Sequence, residues 1–228
     1  MRPTAVVTGG SSGIGAAACR RLREEGWHVV GLARRPSPEA SASVLVDITS
    51  FDDVVKAFEA TPEIQLLVHA AAMLGPIAPL AASDPDAWRQ TVEINLLGTY
   101  NVLRVVLAGP LARERGIAIH MSSGAASNVK PYHSAYSATK AGAEHLVRFA
   151  ASEIAGSNCA VCSLNPGITE TAMQQELRSR RFPDRDRFVR TFEDQTYRTP
   201  EEVADAIWEL SQREPSAING QTFRVGAL

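Results

Sequence analysis

Tyr136 and Lys140 stand four residues apart in Tyr136-Ser137-Ala138-Thr139-Lys140. On a helix that spacing puts a phenol and an ammonium on one face, one turn apart. An ordinary tyrosine titrates at about 10, too high for ready proton exchange at neutral pH. A nearby positive charge stabilises the phenolate and is expected to pull that value down. Such a phenol can give a proton to a carbonyl oxygen, or take it back in reverse. By itself the spacing also fits an exposed helix pair. Ser122-Ser123 closes an apolar run ahead of it, where a hydroxyl can hydrogen-bond a developing oxyanion; a polar strand end is the plainer alternative.

A second constellation sits near the start of the chain. Thr8-Gly9-Gly10-Ser11-Ser12-Gly13-Ile14-Gly15 follows an apolar strand pattern and opens a helical one. Glycines there let the backbone turn tightly and approach a pyrophosphate, held by free N–H groups and the positive end of the helix dipole. The spacing is GxxxGxG, counted on Gly9, Gly13 and Gly15, and no Gly-Lys-Ser/Thr follows, which excludes a nucleoside-triphosphate loop. The expected ligand is a dinucleotide, contacted by Gly9, Ser11, Ser12, Gly13, Ile14 and Gly15. Its oxidised nicotinamide would add a second positive charge near the phenol. The second strand ends at Ala33-Arg34-Arg35, where an acid would bind both ribose hydroxyls of NAD. Arg34 instead offers a planar, permanently charged fork to a 2′-phosphate, so NADP(H) is expected; a solvated arginine pair is the alternative.

These groups need a scaffold, and the chain supplies one. Its 228 residues are 45% apolar and 21% charged, with 23 basic against 25 acidic side chains, the composition of one soluble domain. The balanced charge argues against nucleic-acid binding. The longest apolar stretches, such as Gln65 to Met73, fall well short of the ~20 residues that span a bilayer. Met1-Arg2-Pro3-Thr4 runs directly into a strand with no leader pattern, so a cytoplasmic location is expected. The odd count of cysteines, Cys19, Cys159 and Cys162, fits a reducing compartment. Cys159-Ala-Val-Cys162 lies in an apolar run, where residues three apart face opposite sides of a strand, so no metal or redox site is expected.

Short β-branched runs alternate with longer segments of helical period. That pattern predicts an α/β fold: a Rossmann-type, doubly wound, seven-stranded parallel sheet with helices on both faces, in a single domain over 1–228. Strands are expected at Ala5–Thr8, His28–Ala33, Val44–Asp47, Gln65–Ala70, Ile117–Ser122, Ala160–Leu164 and Thr222–Val225. Helices are expected from Ile14 to the Gly26 stop, and at Ser50–Ala60, Asp86–Leu107, Ser134–Ile154 and Pro200–Ser211. Residues 172–198 break the rhythm with seven arginines and five acids. They are expected to form a partly helical substrate flap; an exposed charged helix pair is the alternative.

Taken together, TGGSSGIG, Asn95 in Asn95-Leu96-Leu97-Gly98, Ser123 thirteen residues before Tyr136, YSATK and Asn165-Pro166-Gly167 resemble, in order, the short-chain dehydrogenase/reductase family. The resemblance covers nearly the whole chain. It implies a nicotinamide-dependent oxidoreductase with a tetrad of Asn95, Ser123, Tyr136 and Lys140. Tyrosine would be the acid/base, serine would orient the substrate carbonyl, lysine would hold the nicotinamide ribose, and asparagine would keep a water in the proton relay. Asn95 has its own cue, since an amide on the inner stripe of a helix wants a specific partner.

The resemblance further implies cofactor contacts at Asp47, Ala70, Ala71, Pro166, Gly167, Thr169 and Thr171. Asp47 equally fits a turn residue at a helix entry. His69-Ala70-Ala71-Ala72 departs from the family's usual Asn-Asn-Ala-Gly, and His69 is expected to be a packed core histidine.

Met173-Gln174-Gln175-Glu176-Leu177-Arg178 and Asn219-Gly220-Gln221 are most similar to the sepiapterin reductase and benzil reductase type. That implies NADPH-driven reduction of a small-molecule ketone, such as a vicinal dicarbonyl or a pterin side chain. Ala125, Ala126, Tyr132 and His133 are candidates for the pocket, with Met173 and Leu177 closing it. The alternatives are another alcohol dehydrogenase or 3-oxoacyl-thioester reductase of the same fold, and a sensor that binds NADP(H) without turnover. A homodimer through the two long helices is expected, with a tetramer as a further possibility, on the apolar surface of Trp88, Leu96, Leu97, Leu103 and Leu107.

Overall fold

The structure is a computed structural model that describes residues 2–61, 63–111, 114–183, 185–186, 189–190 and 197–227. Seven strands form one parallel sheet: β1 (Thr4–Thr8), β2 (His28–Ala33), β3 (Ala42–Leu45), β4 (Leu66–His69), β5 (Gly116–Met121), β6 (Cys159–Asn165) and β7 (Thr222–Arg224). Their order is β3-β2-β1-β4-β5-β6-β7. The chain moves outward from β1 to β3, then crosses back to β4 on the other flank of β1. That crossing makes the switch point, between the ends of β1 and β4, where such sheets place ligands.

The central strands read as continuous apolar runs because both their faces are covered. On one face α1 (Gly13–Glu24) and α7 (Pro200–Gln212) bury Leu22, Val203, Ile207 and Leu210 against Val7, Val68 and Ile119. On the other, α2 (Phe51–Glu59), α4 (Gly98–Ala108) and α5 (Ser134–Glu153) bury Phe58, Val102, Val106 and Val147 against Val6, Leu67 and Ala118. Thr199 starts α7 with a capping box, its hydroxyl on Glu202 N at 3.1 Å and the Glu202 carboxylate on Thr199 N at 2.6 Å.

Three expectations need correction. β3 begins and ends two residues earlier than Val44–Asp47, in the register Val30↔Ala42 to Ala33↔Leu45. Asp47 is thereby released from the strand and accepts from Thr49 N at 3.0 Å and Thr49 Oγ1 at 2.8 Å, the turn that leads into α2. The helix expected over Asp86–Leu107 is α3 (Pro85–Val92) and α4 joined by a π turn at Glu93–Leu97. Leu103 is buried in the core, not on an outer face.

Of the flap, α6 (Ala172–Ser179) follows a cap by Thr171, whose hydroxyl accepts from Gln174 N at 3.4 Å. Phe182 lies 5.4 Å from Tyr132, ring to ring, and ties the flap to the loop ahead of α5. Residues 184, 187–188 and 191–196 of the expected flap lie outside the described residues.

Candidate active site

The glycine run makes its turn at the switch point. Gly9 has φ +71°, and a Cβ there would lie 2.9 Å from Ala71 N, so glycine lets the end of β1 press on the backbone after β4. Gly15 lies against the Gly9 carbonyl, where a Cβ would sit 2.3 Å from its oxygen. Gly13, with φ +52°, faces Thr171 across the groove, 3.4 Å from a Cβ position to Thr171 Cγ2. The first bond of α1 runs from Ala16 N to Ser12 O at 3.2 Å. The N–H groups ahead of it have no helical partner, and the Ser12 hydroxyl caps none of them. Ser11 and Ile14 are half-buried and Ser12 is exposed. A glycine-rich cradle with spare donors at a helix start fits a pyrophosphate. Arg34 and Asp47 are exposed just beyond β2 and β3, on the flank of the sheet past the glycine run.

Behind this cradle runs a closed hydrogen-bond chain. Thr99 Oγ1 donates to Asn95 O at 2.7 Å, and His69 Nε2 lies 3.0 Å from Thr99 Oγ1. His69 Nδ1 lies 2.8 Å from Thr8 Oγ1, which accepts from Ala70 N at 3.1 Å and Ala71 N at 3.2 Å. Donor and acceptor roles close only if His69 carries its proton on Nε2 and is neutral. Burial, and then the Lys140 charge, push its pKa down to about 3. His69 is the packed core histidine expected, its ring spanning Thr8 and Thr99. His120 stacks on it at 5.6 Å, ring to ring.

Asn95 is buried inside the π turn. Its Oδ1 accepts from Met73 N at 2.8 Å, and its Nδ2 donates to Met73 O at 2.9 Å and Thr139 Oγ1 at 3.2 Å. The amide therefore pins the loop after β4 to the start of α5. The wide turn supplies that inward carboxamide, in keeping with the frequent occurrence of π bulges at functional sites.

On α5, Tyr136 and Lys140 do share a face, with Lys140 Nζ 5.8 Å from the Tyr136 ring centre. Lys140 is buried and donates to Met121 O at 2.7 Å. Burial lowers its pKa to about 8. Tyr136 departs from expectation, because its pKa is raised, not lowered. Burial dominates, and a hydrogen bond from Ser123 opposes it more weakly. The ammonium lies against the ring and is fixed on a carbonyl, so it does not offset the desolvation of a phenolate. A raised value keeps the phenol protonated and ready to donate.

The two serines divide their tasks. The Ser122 hydroxyl donates to the Glu144 carboxylate, whereas Ser123 bonds Tyr136.

Tyr136 and Ser123 open on a cavity of about 990 Å³, shared with Ile14 of the glycine run and with Gly167 and Thr171 beyond β6. Ala125, Tyr132, His133, Met173 and Leu177 border it as expected; Ala126 does not. Asn165 Oδ1 accepts from Gly167 N at 2.9 Å and sets the turn after Pro166. Thr169 is buried and donates to Pro166 O at 3.4 Å. Arg198 and Arg224 also border the cavity. Neither sits in a recognisable sequence pattern.

Residues 3–181 match the short chain dehydrogenase family. The chain is 28% identical over 230 residues to a protein of Haemophilus influenzae named "Probable NADP-dependent dehydrogenase", covering 95% of this chain and 90% of that one. It is 32% identical over 241 residues to cis-4-hydroxycyclohexanecarboxylate dehydrogenase of Sinomonas cyclohexanicum, covering 98% and 92%. The ligand-free structure of Thermoplasma acidophilum aldohexose dehydrogenase superposes with a TM-score of 0.86 at 25% identity, over 98% of this chain and 92% of that one. With the matched residues taking in the glycine run, Asn95, Ser123, Tyr136 and Lys140, the chain belongs to the short chain dehydrogenase family.

Proposed function

We propose that the protein is an NADPH-dependent carbonyl reductase in which Tyr136 gives the proton that turns a ketone into an alcohol. The observation that carries this is the sharing of one cavity by Tyr136, Ser123 and the glycine-run residue Ile14. NADPH, when bound, supplies the hydride. Ser123 orients the carbonyl oxygen, and Tyr136, protonated at neutral pH, donates to that oxygen. Lys140 holds the nicotinamide ribose, and Asn95 fixes the loop and the start of α5 between which a proton relay would run. Gly9, Ser11, Ser12, Gly13, Ile14 and Gly15 hold the pyrophosphate, with Thr171 opposite. Asp47, Ala70 and Ala71 serve the adenosine side, and Pro166, Gly167 and Thr169 the nicotinamide side. Arg34 favours NADP(H), in keeping with the name of the Haemophilus relative.

Met173 and Leu177 of the flap cover a partly aromatic pocket suited to a ketone. Vicinal dicarbonyls and a pterin side chain are the substrates proposed first. The protein is further proposed to act as a cytoplasmic homodimer. Leu97, Tyr100 and Phe149 support that assembly, because 49%, 45% and 57% of their surfaces are exposed on the long helices and the π turn that joins two of them. Among the described residues no helix is long and apolar enough to cross a membrane.

The test follows NADPH absorbance with benzil, sepiapterin, acetoacetyl thioesters and simple aldehydes. Turnover of benzil or sepiapterin is expected. Preferential turnover of the thioesters would reassign the substrate. NADPH binding with no oxidation across the panel would replace the reductase by a sensor.

A further inference from the structure

Among the described residues the cavity is lined by charge of one sign: Lys130, Arg198 and Arg224 border it, and no aspartate or glutamate does. Arg198 is half-buried, with its guanidinium between two glycine backbones. A Cβ on Gly167 would come within 2.5 Å of Nη1, and one on Gly226 within 2.8 Å of Nη2. Its own backbone is clamped to the loop after β6, by Arg198 N on Ile168 O at 2.9 Å and Glu170 N on Arg198 O at 2.8 Å. Arg224 lies across from Asn165 in the register of β6 and β7.

Among the described residues, two acids of the adjoining elements are engaged elsewhere. Glu170 forms a two-pronged pair with Arg178. Glu144 accepts from Ser122 and Thr222. Among the described residues, neither Arg198 nor Arg224 has a carboxylate within ion-pair distance, although Arg20, Arg21, Arg89, Arg178, Arg180 and Arg185 all do. A guanidinium cannot shed its proton, so a half-buried, unpaired one is stabilised by any anion that enters. β7, which carries Arg224, is four strands from β1 and its glycine run, and Arg34, assigned to the 2′-phosphate, lies past the opposite flank of β1. Arg198 is clamped to the loop that leads to Thr171, so the KM for NADPH is the control that separates a substrate anion from a cofactor phosphate.

We propose that the cavity selects ketones that carry a carboxylate, held in a charge-assisted pair by Arg198 with Arg224 alongside. This rests on the reductase assignment and narrows its substrate, placing ketones that carry a carboxylate ahead of benzil and sepiapterin, which carry none: the carboxylate anchors one end of the substrate while the carbonyl meets Tyr136 and Ser123.

Two measurements on the full chain test it. The first compares NADPH oxidation with 4-oxo-4-phenylbutanoate and its methyl ester. Wild-type protein is expected to prefer the acid by about tenfold or more in kcat/KM. Arg198→Gln, which keeps the length and loses the charge, is expected to remove that preference through KM for the acid. The ester rate and the KM for NADPH should stay within about twofold of wild type. Arg224→Ala should weaken acid binding in the same sense. Equal use of acid and ester by the wild type, an equal loss on both in Arg198→Gln, or a rise in KM for NADPH alone would each overturn the proposal.

The second measurement needs no turnover: benzoate and benzamide are titrated into NADPH-loaded protein and followed by cofactor fluorescence. Benzoate is expected to bind at least about tenfold more tightly, and Arg198→Gln to abolish the difference. If that holds while no ketone is reduced, the anion site stands and the reductase assignment fails. If ketones are reduced but benzoate and benzamide bind alike, the anion site fails and the reductase stands.

Discussion

Asn95 closes its carboxamide on the backbone of Met73, accepting from N–H at 2.8 Å and donating to the carbonyl at 2.9 Å. One side chain thus does for the loop after β4 what a strand partner would do, and its third contact, on Thr139, carries that constraint to the helix of Tyr136 and Lys140. Replacing Asn95 with leucine keeps the bulk and strands the Met73 amide and carbonyl. The variant is expected to lose about 1–3 kcal/mol of stability, read as a lower urea midpoint, and to lose turnover with it. An unchanged midpoint would show that the pairing has no structural weight.

Acid sensitivity follows from the buried histidine pair. His69 is held neutral down to about pH 3, and His120 well below its ordinary value, each first by burial and then by the Lys140 charge. The unfolded chain protonates both near ~6.5, so it binds more protons than the native state below that pH. Stability is therefore full above about pH 6.5 and falls as pH drops, by about 1.4 kcal/mol per pH unit for His69. In urea titrations at pH 7.5 and pH 5, His120→Leu should reduce the acid loss. The same loss in variant and wild type would refute a buried neutral His120.

Cofactor choice is assigned to Arg34. Arg34→Asp removes the fork for a 2′-phosphate and adds a repelling charge. It is expected to lower kcat/KM with NADPH by about 10- to 100-fold more than with NADH. Equal losses with both cofactors would show that Arg34 is only a solvated surface residue.

Association is assigned to the outer faces of the long helices and the π turn. Sedimentation of the wild type should give a dimer, and Leu97→Glu or Phe149→Glu should shift it to monomer at the same concentration. A monomeric wild type would exclude this assembly.

The sheet and the cradle were legible in the sequence because their determinants are local. Val6, Val30 and Val68 sit in short β-branched runs that a parallel sheet buries on both faces. Gly9 and Gly15 mark a backbone with no room for a side chain, and Gly13 one held at positive φ. Tyr136 and Lys140 could be placed together from helical periodicity alone.

What escaped depends on contacts distant in sequence. The π turn carries no pattern of its own beyond the awkward Asn95. Leu103, expected on an outer face, is buried in the core beyond the π turn. Lys140 is drawn to Met121 O, 19 positions away, and burial of Tyr136 sets the direction of its shift opposite to the one expected. Arg198 reaches the cavity from beyond the flap, at a position where the local sequence signals only a helix cap.

Proton donation by Tyr136 is tested by Tyr136→Phe, measured as single-turnover NADPH oxidation with a reducible ketone alongside NADPH affinity by fluorescence. The rate is expected to fall by about 10²–10⁴-fold, with NADPH affinity and urea midpoint close to wild type. Retention of most of the rate in folded, NADPH-binding Tyr136→Phe would rule out Tyr136 as the donor.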